Sequence, residues 1–145
     1  MKSNKFLNKE QQTCIVDAIK QAELNTSGEI RVYVESVCKI NVLDRAVYVF
    51  KELDMFKTKA RNGVLIYIAY DSHKFAIIGD EGINKVVPEN FWDDAKSAMG
   101  ASFSSGDFPG GICKAIGMVA ENLKHYFPYS DDDVNEQPDE ISFGK

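Results

Sequence analysis

The sequence predicts an α/β fold, a three-layer α/β/α sandwich around a mixed central sheet. Residues 64–69 and 74–78 are apolar segments on either side of a short polar turn, which is typical of a β-hairpin covered on both faces. A strand-like segment at residues 29–37 precedes the hairpin, and a helical pattern lies between them. That order predicts a parallel strand pair joined by a right-handed crossover. Helical patterns at both ends of the chain supply the outer layers.

The spacing of apolar residues predicts each element of the first half. Residues 8–24 repeat apolar side chains at helical intervals and predict the first helix. Residues 29–37 alternate apolar and polar side chains, which predicts a strand with one less buried face. A second helix is predicted for residues 41–54. Its expected buried stripe is Leu43, Val47 and Phe50. The hairpin follows, and we expect it at the centre of the sheet.

Two further helices are predicted in the second half. Pro88 suits the first turn of a helix that runs to about residue 102. A loop at residues 104–107 separates it from a longer helix that ends before Pro128. The apolar stripe of that longer helix is Ile112, Ile116, Val119, Ala120 and Leu123. One domain is therefore predicted for residues 1–128.

An acidic, disordered tail is predicted for residues 129–145. The chain has 22 acidic and 17 basic residues, and six of the acids but one base lie in residues 131–145, so the remaining 16 acids and 16 bases balance. A neutral body without a basic run argues against nucleic-acid binding.

Membrane insertion and disulfide bonding are not expected. No apolar run approaches the roughly 20 residues of a membrane span, and the first residues lack the apolar core of a signal peptide. We therefore expect a cytoplasmic location. Cys14, Cys38 and Cys113 are scattered and form no CxxC pair, so we predict three buried, reduced thiols rather than a zinc site.

The predicted topology places acidic loop residues at two opposite ends of the sheet. At the end where the first two strands begin, Asp80 and Glu81 follow the returning strand between Gly79 and Gly82. Adjacent carboxylates near backbone carbonyls could supply oxygen ligands to Ca²⁺ or Mg²⁺. The alternative is a solvated turn in which the glycines serve only the backbone.

The opposite end holds a second candidate metal site. Asp71 lies in the hairpin turn, and the loop that holds Asp107 lands near it if the third helix runs back across the sheet. The hydroxyl groups of Ser104 and Ser105 would be neutral ligands there. Alternatively, Asp71 only forms the turn and Asp107 only caps the following helix. The two ends of the sheet are too far apart to share one ion.

Several different short motifs lie along residues 8–127 in a characteristic order. They are Thr26-Ser27-Gly28-Glu29-Ile30, Arg61-Asn62-Gly63-Val64-Leu65, Asp71, Gly79-Asp80-Glu81-Gly82-Ile83, Phe103, Gly106-Asp107-Phe108 and Gly111-Ile112. Their order and spacing resemble the TPM domain family, which includes thylakoid-lumen and photosystem II repair proteins and a nematode acetylcholine-receptor accessory protein. The resemblance implies an α/β/α sandwich in a stand-alone, soluble bacterial-type member. It also implies divalent-cation binding or weak phosphatase activity, both proposed for relatives.

The sequence therefore predicts a TPM-like module that binds Ca²⁺ or Mg²⁺ through loop carboxylates and assists a protein partner. A weak metal-dependent phosphatase and a structural domain whose acidic tail recruits a basic partner stay open as alternatives. No catalytic motif favours an enzyme: Cys38 and Arg45 have six residues between them, one too many for a Cys-x5-Arg phosphate cradle. A phosphatase would have to use the cation to polarise phosphate and activate water.

Overall fold

A computed structural model describes residues 6–129 and 138–144. Its helices and strands follow in the order that the sequence predicts, with two short additions. In chain order they are α1 (Lys9–Ala22), β1 (Glu29–Glu35), α2 (Val42–Glu52), β2 (Gly63–Ala69), β3 (Lys74–Gly79), α3 (Glu81–Asn84), α4 (Asp93–Ser104), α5 (Phe108–Leu123) and β4 (Ser142–Phe143). The additions are α3 and β4. Helix α4 begins later than predicted, because Pro88 opens a turn in which its carbonyl accepts from the Phe91 amide.

The four strands form one mixed sheet in the order β3-β2-β1-β4. Strands β1 and β2 are parallel and joined through α2, whereas β2 and β3 form the antiparallel hairpin. The predicted α/β fold is therefore confirmed. The prediction that the hairpin lies at the centre of the sheet is correct only for β2, which is buried along its entire length. Strand β3 lies at the edge of the sheet that the described residues form.

Helices cover both faces of the sheet. One face packs its aliphatic side chains, such as Val32 and Ile66, against α1, α4 and α5, and the predicted stripe of α5 is buried there. The other face carries Leu65 and Tyr67 and packs against α2. Strand β1 is therefore more buried than its alternating sequence predicted. Even Arg31, on its polar face, is 7% exposed.

The buried face of α2 differs from the prediction. Leu43 and Val47 are 52% and 44% exposed, and the helix instead buries Ala46, Val49 and Phe50. These three residues stand at helical spacing and pack together against the sheet. The Arg45 guanidinium bonds to a buried carboxylate on β1.

The C-terminal segment also differs from the prediction. Residues 130–137, which include most of the tail's acids, lie outside the described residues. Ser142–Phe143 pairs in parallel with β1, and the Gly144 amide donates to the Val34 carbonyl at 2.8 Å. Arg31 Nη2 donates to Ser142 Oγ at 2.7 Å. The prediction of disorder is wrong for these residues, because Ile141 and Phe143 supply apolar surface that packs against the core.

A carboxyl pair links this segment to the end of α1. Glu23 is the C-cap residue of α1 and shares a hydrogen bond with Asp139. Burial, the Asp139 bond and the nearby charge of Glu29 raise the pKa of Glu23 to about 9. Glu23 therefore keeps its proton in the folded protein at neutral pH, whereas the unfolded chain releases it above its ordinary pKa of 4.5. Folding stability should fall as pH rises between those two values.

We expect the thermal unfolding midpoint to be lower at the upper end of this pH window than at its lower end. Glu23→Gln should flatten that dependence, because its neutral amide can donate to Asp139 at every pH. Exposed Glu89 provides the matched control, Glu89→Gln. Midpoints measured by circular dichroism at several pH values test this expectation, and equal slopes in wild type and Glu23→Gln would contradict it.

Candidate functional site

The first predicted site lies where β1 and β2 begin and β3 ends. Glu29 pairs with Gly63, and Val64 pairs with Gly79, so the loops before and after these strands meet at one end of the sheet. The Asp80 amide donates to the Gly63 carbonyl at 2.9 Å. The structure therefore brings Asp80 to the end of the sheet at which the topology predicted it.

The Asp80 carboxylate forms an ion pair with an arginine side chain. Arg61 Nε lies 2.7 Å from Oδ2 and Nη2 lies 2.8 Å from Oδ1, a two-point ion pair around a side chain that is 6% exposed. Oδ1 also accepts from the Glu81 amide and so caps α3. The hydrogen bonds that Arg61 donates to Asp80 raise the pKa of Arg61 above its ordinary value. An internal cation therefore holds the position in which the sequence predicted a metal ion.

Glu81 and Gly82 complete this ion-pair loop. The Glu81 carboxylate is exposed and lies 3.4 Å from Arg61 Nη1 and 3.7 Å from Lys85 Nζ. The Gly82 amide donates to the Arg61 carbonyl, and a Cβ on Gly82 would lie 2.2 Å from the Ala60 carbonyl oxygen. Arg61 itself has a positive φ of 52°. Gly82 therefore serves a close approach of two backbone segments.

The second predicted site lies at the opposite end of the sheet. The Asp71 amide donates to the Ser36 carbonyl at 2.7 Å, and the Asp71 carboxylate is exposed. Asp107 caps α5, with Oδ1 accepting from the Gly110 amide at 3.0 Å. A cavity of about 330 Å³ joins the hairpin turn to the loop before α5 and is lined by residues that include His73 and Ser104. Chain neighbours of Asp71 and of Asp107 therefore line one cavity, although neither acid is itself a lining residue.

The two ends differ in electrostatics. Neither Asp71 nor Asp107 forms an ion pair with another residue in the part of the chain that the structure describes. Asp80, in contrast, is paired with Arg61. Across residues 6–129 and 138–144, no group of three or more His, Cys, Asp or Glu side chains could hold a metal ion. A cation at either end would depend on two carboxylates supplemented by hydroxyl groups, carbonyls and water.

A third polar cluster was not predicted. Glu35, 6% exposed at the end of β1, accepts from Arg45 at 2.8 and 2.9 Å and from the Tyr67 hydroxyl. Burial and the Glu35 bond raise the pKa of Tyr67. The only sequence signal for this cluster was the alternation of polar side chains on β1. Because Arg45 is bound to Glu35, it forms no phosphate cradle with nearby Cys38.

The cysteines agree only in part with the prediction of three buried thiols. All three cysteines are free, but Cys14 is exposed and Cys113 half-buried, so only Cys38 is buried as predicted. Cys14 lies on the solvent side of α1, away from Ile15 and Ile19. Among the described residues, no helix has the length and apolar character to span a bilayer.

Several solved structures share this fold over most of the chain. The NMR structure of BA42 protein from the psychrophilic bacterium Bizionia argentinensis is 47% identical in sequence, with a TM-score of 0.92 over 99% of each chain. N-terminal domains from P. gingivalis and Corynebacterium glutamicum share the fold at 16% and 14% identity, with TM-scores of 0.69 and 0.63. They cover 85% and 91% of this chain, and the matches span 80% of each of those domains.

Sequence comparison gives the family. No curated protein matches the chain at a significant level. The family model of the TPM domain matches residues 1–122, which contain all the helices and strands of the fold except the end of α5 and β4. The chain therefore belongs to the TPM domain family.

Proposed function

We propose that this TPM domain binds a divalent cation, Ca²⁺ or Mg²⁺, between Asp71 and Asp107, and that the bound cation assists a protein partner. The contrast between the two ends of the sheet supports this proposal. Asp80 already has a cation in Arg61, whereas Asp71 and Asp107 have no ion-pair partner among the described residues. Their charges remain available to an added ion.

The donor set at this end fits a hard cation that binds weakly. Asp71 and Asp107 supply carboxylate oxygens, and exposed Ser104 and Ser105 supply hydroxyl groups. A site with only two carboxylates should bind Ca²⁺ with a dissociation constant of about 0.1–1 mM, as weak extracellular calcium modules do. Asp107 would keep its bond to the Gly110 amide and offer its remaining lone pairs.

The Asp80 end fits a structural role better. A cation bound by both Asp80 oxygens would have to displace Arg61 from a buried, two-point pair and leave that guanidinium without its carboxylate. Exposed Glu81 would contribute only a peripheral charge. We therefore place the cation at Asp71 and Asp107 and assign Asp80 and Glu81 to the stability of the loop.

The unfolding midpoint as a function of Ca²⁺ concentration tests this assignment. An ion that binds only the folded state raises the unfolding midpoint by mass action. The midpoint of the wild-type protein should therefore rise with Ca²⁺ concentration. Asp71→Asn and Asp107→Asn should each weaken the apparent affinity roughly tenfold, which corresponds to about 1.4 kcal/mol.

Two controls separate this site from general charge effects. Asp17→Asn, an exposed acid on α1, and Glu81→Gln, at the other end of the sheet, should keep the wild-type dependence on Ca²⁺. A dependence that Glu81→Gln abolishes and Asp71→Asn leaves intact would place the ion at the wrong end for our proposal.

The phosphatase hypothesis stays a prediction and depends on the same cation. In such a reaction the ion would polarise the phosphate and activate a water, with Asp71 and Asp107 as ligands rather than nucleophiles. The Cys38 and Arg45 side chains offer no alternative centre, because Arg45 is committed to Glu35.

A further inference from the structure

A second cavity opens on the other side of the molecule from the Asp71 loop. It has a volume of about 520 Å³ and lies between α2, the connection to β2, the end of β3 and α3. Its apolar lining comes from Val47, Phe50, Phe56 and Ile78. This volume is within the range of about 300–1,000 Å³ that is typical of small-molecule sites.

Much of the apolar lining is exposed to solvent. Val47 and Phe56 are 44% and 39% exposed, although both are large apolar side chains. Val47 is exposed because α2 packs Ala46, Val49 and Phe50 against the sheet instead. The cavity therefore offers a contiguous apolar surface that a bound molecule could remove from water.

The charges at the mouth of the cavity favour an anion. Asp80 is neutralised by Arg61, and Glu81 is shared between Arg61 and Lys85. Lys51 also lines the cavity and forms no ion pair with any residue in the described part of the chain. Lys85 lies outside the lining, and the lining itself holds two cations and two carboxylates. Among these four, Lys51 alone has no ion-pair partner in the described residues, so its charge is the one open to a bound anion.

We infer that this cavity binds a small amphipathic carboxylate, with its apolar body against Phe50, Phe56 and Ile78 and its head group paired with Lys51. A positively charged head group would meet Lys51 directly and find both carboxylates already paired. A neutral head group would gain the apolar contacts but not the ion pair. The inference is independent of the proposed cation site, which lies at the opposite end of the sheet.

Three probes with the same ten-carbon chain test the inference by amide NMR titration below their micelle-forming concentrations. Decanoate should give saturable shifts in residues 47–56 and 78–84. Decanol should bind there roughly threefold more weakly, the size of effect expected of one partly exposed ion pair, and decylammonium more weakly still.

Variants identify the residue that selects the head group. Lys51→Gln should lower the affinity for decanoate to that for decanol and leave the affinity for decanol unchanged. Lys20→Gln, an exposed lysine in the last turn of α1, should change neither. Equal affinities for the three probes, an unchanged preference in Lys51→Gln, or no saturable shift in these residues would each overturn the inference.

Discussion

Glu35→Ala is expected to lower the free energy of unfolding by roughly 3 kcal/mol, the scale measured when one partner of a buried ion pair is removed. Glu35 is 6% exposed and accepts hydrogen bonds from Arg45 and Tyr67. Without the carboxylate, the Tyr67 hydroxyl stays in a fully buried position and loses its charged acceptor. Arg45 is 27% exposed and can turn to solvent, so most of the loss should come from Tyr67 and the emptied space.

A double-mutant cycle separates these contributions. Tyr67→Phe should cost clearly more in the wild-type protein than in Glu35→Ala, because the hydroxyl has a carboxylate acceptor only when Glu35 is present. Glu52→Ala, at an exposed position near the end of α2, should change the unfolding free energy by less than about 0.5 kcal/mol. Urea unfolding of the four proteins of the cycle and of Glu52→Ala gives these free energies. A loss in Glu35→Ala no larger than that in Glu52→Ala would contradict the role of the cluster.

Gly82→Ala is expected to destabilise the protein by about 1–3 kcal/mol, the usual cost of overpacking. The new methyl group would lie 2.2 Å from the Ala60 carbonyl oxygen and 2.6 Å from that of Arg61, and both neighbours are backbone atoms. Relief would require the loop to move, which would also disturb the pair between Arg61 and Asp80.

Gly117→Ala provides the matched control. Gly117 lies inside α5, and nothing stands within 4 Å of an added methyl group there. Since alanine is the better helix former, this change should stabilise the protein by about 0.5–1 kcal/mol. Thermal or urea unfolding of both variants gives the comparison. Stabilisation in both would show that the loop around Gly82 has room that its contacts do not indicate.

Local periodicity made part of the fold predictable. Strand β2 and the buried stripe of α5 carry long, regular apolar patterns, and the structure buries both as expected. The orientation of α2 was not predictable in this way. Leu43 and Val47 were assigned to its buried side, whereas the structure buries Ala46, Val49 and Phe50, which also stand at helical spacing. Two apolar patterns are therefore present in this helix, and periodicity alone does not choose between them.

The two missed elements have different physical origins. Helix α3 has four residues and depends on the Asp80 cap, so it was too short for a recognisable apolar period. Strand β4 lies in a segment whose acidic composition predicted disorder. Two apolar side chains, Ile141 and Phe143, nevertheless dock against the core. Composition averaged over the whole segment concealed their effect.

The candidate site was predictable in position but not in chemistry. Strand order placed Asp80 at one end of the sheet and Asp71 at the other, and the structure has them there. Arg61 stands within one of the motifs that identify the family, yet nothing in its spacing from Asp80 indicated an ion pair. The pairing depends on a left-handed backbone at Arg61 and on the close approach that Gly82 allows.

A two-dimensional amide NMR titration of the metal-free protein, first with Ca²⁺ and then with Mg²⁺, tests the proposed function most directly. Our account predicts saturable shifts in residues 71–73 and 104–108, while residues 79–84 stay near their metal-free positions. Saturable shifts centred on residues 79–84 would show that the ion displaces Arg61 from Asp80. Shifts confined to residues 131–145, or none at all, would contradict a folded cation site.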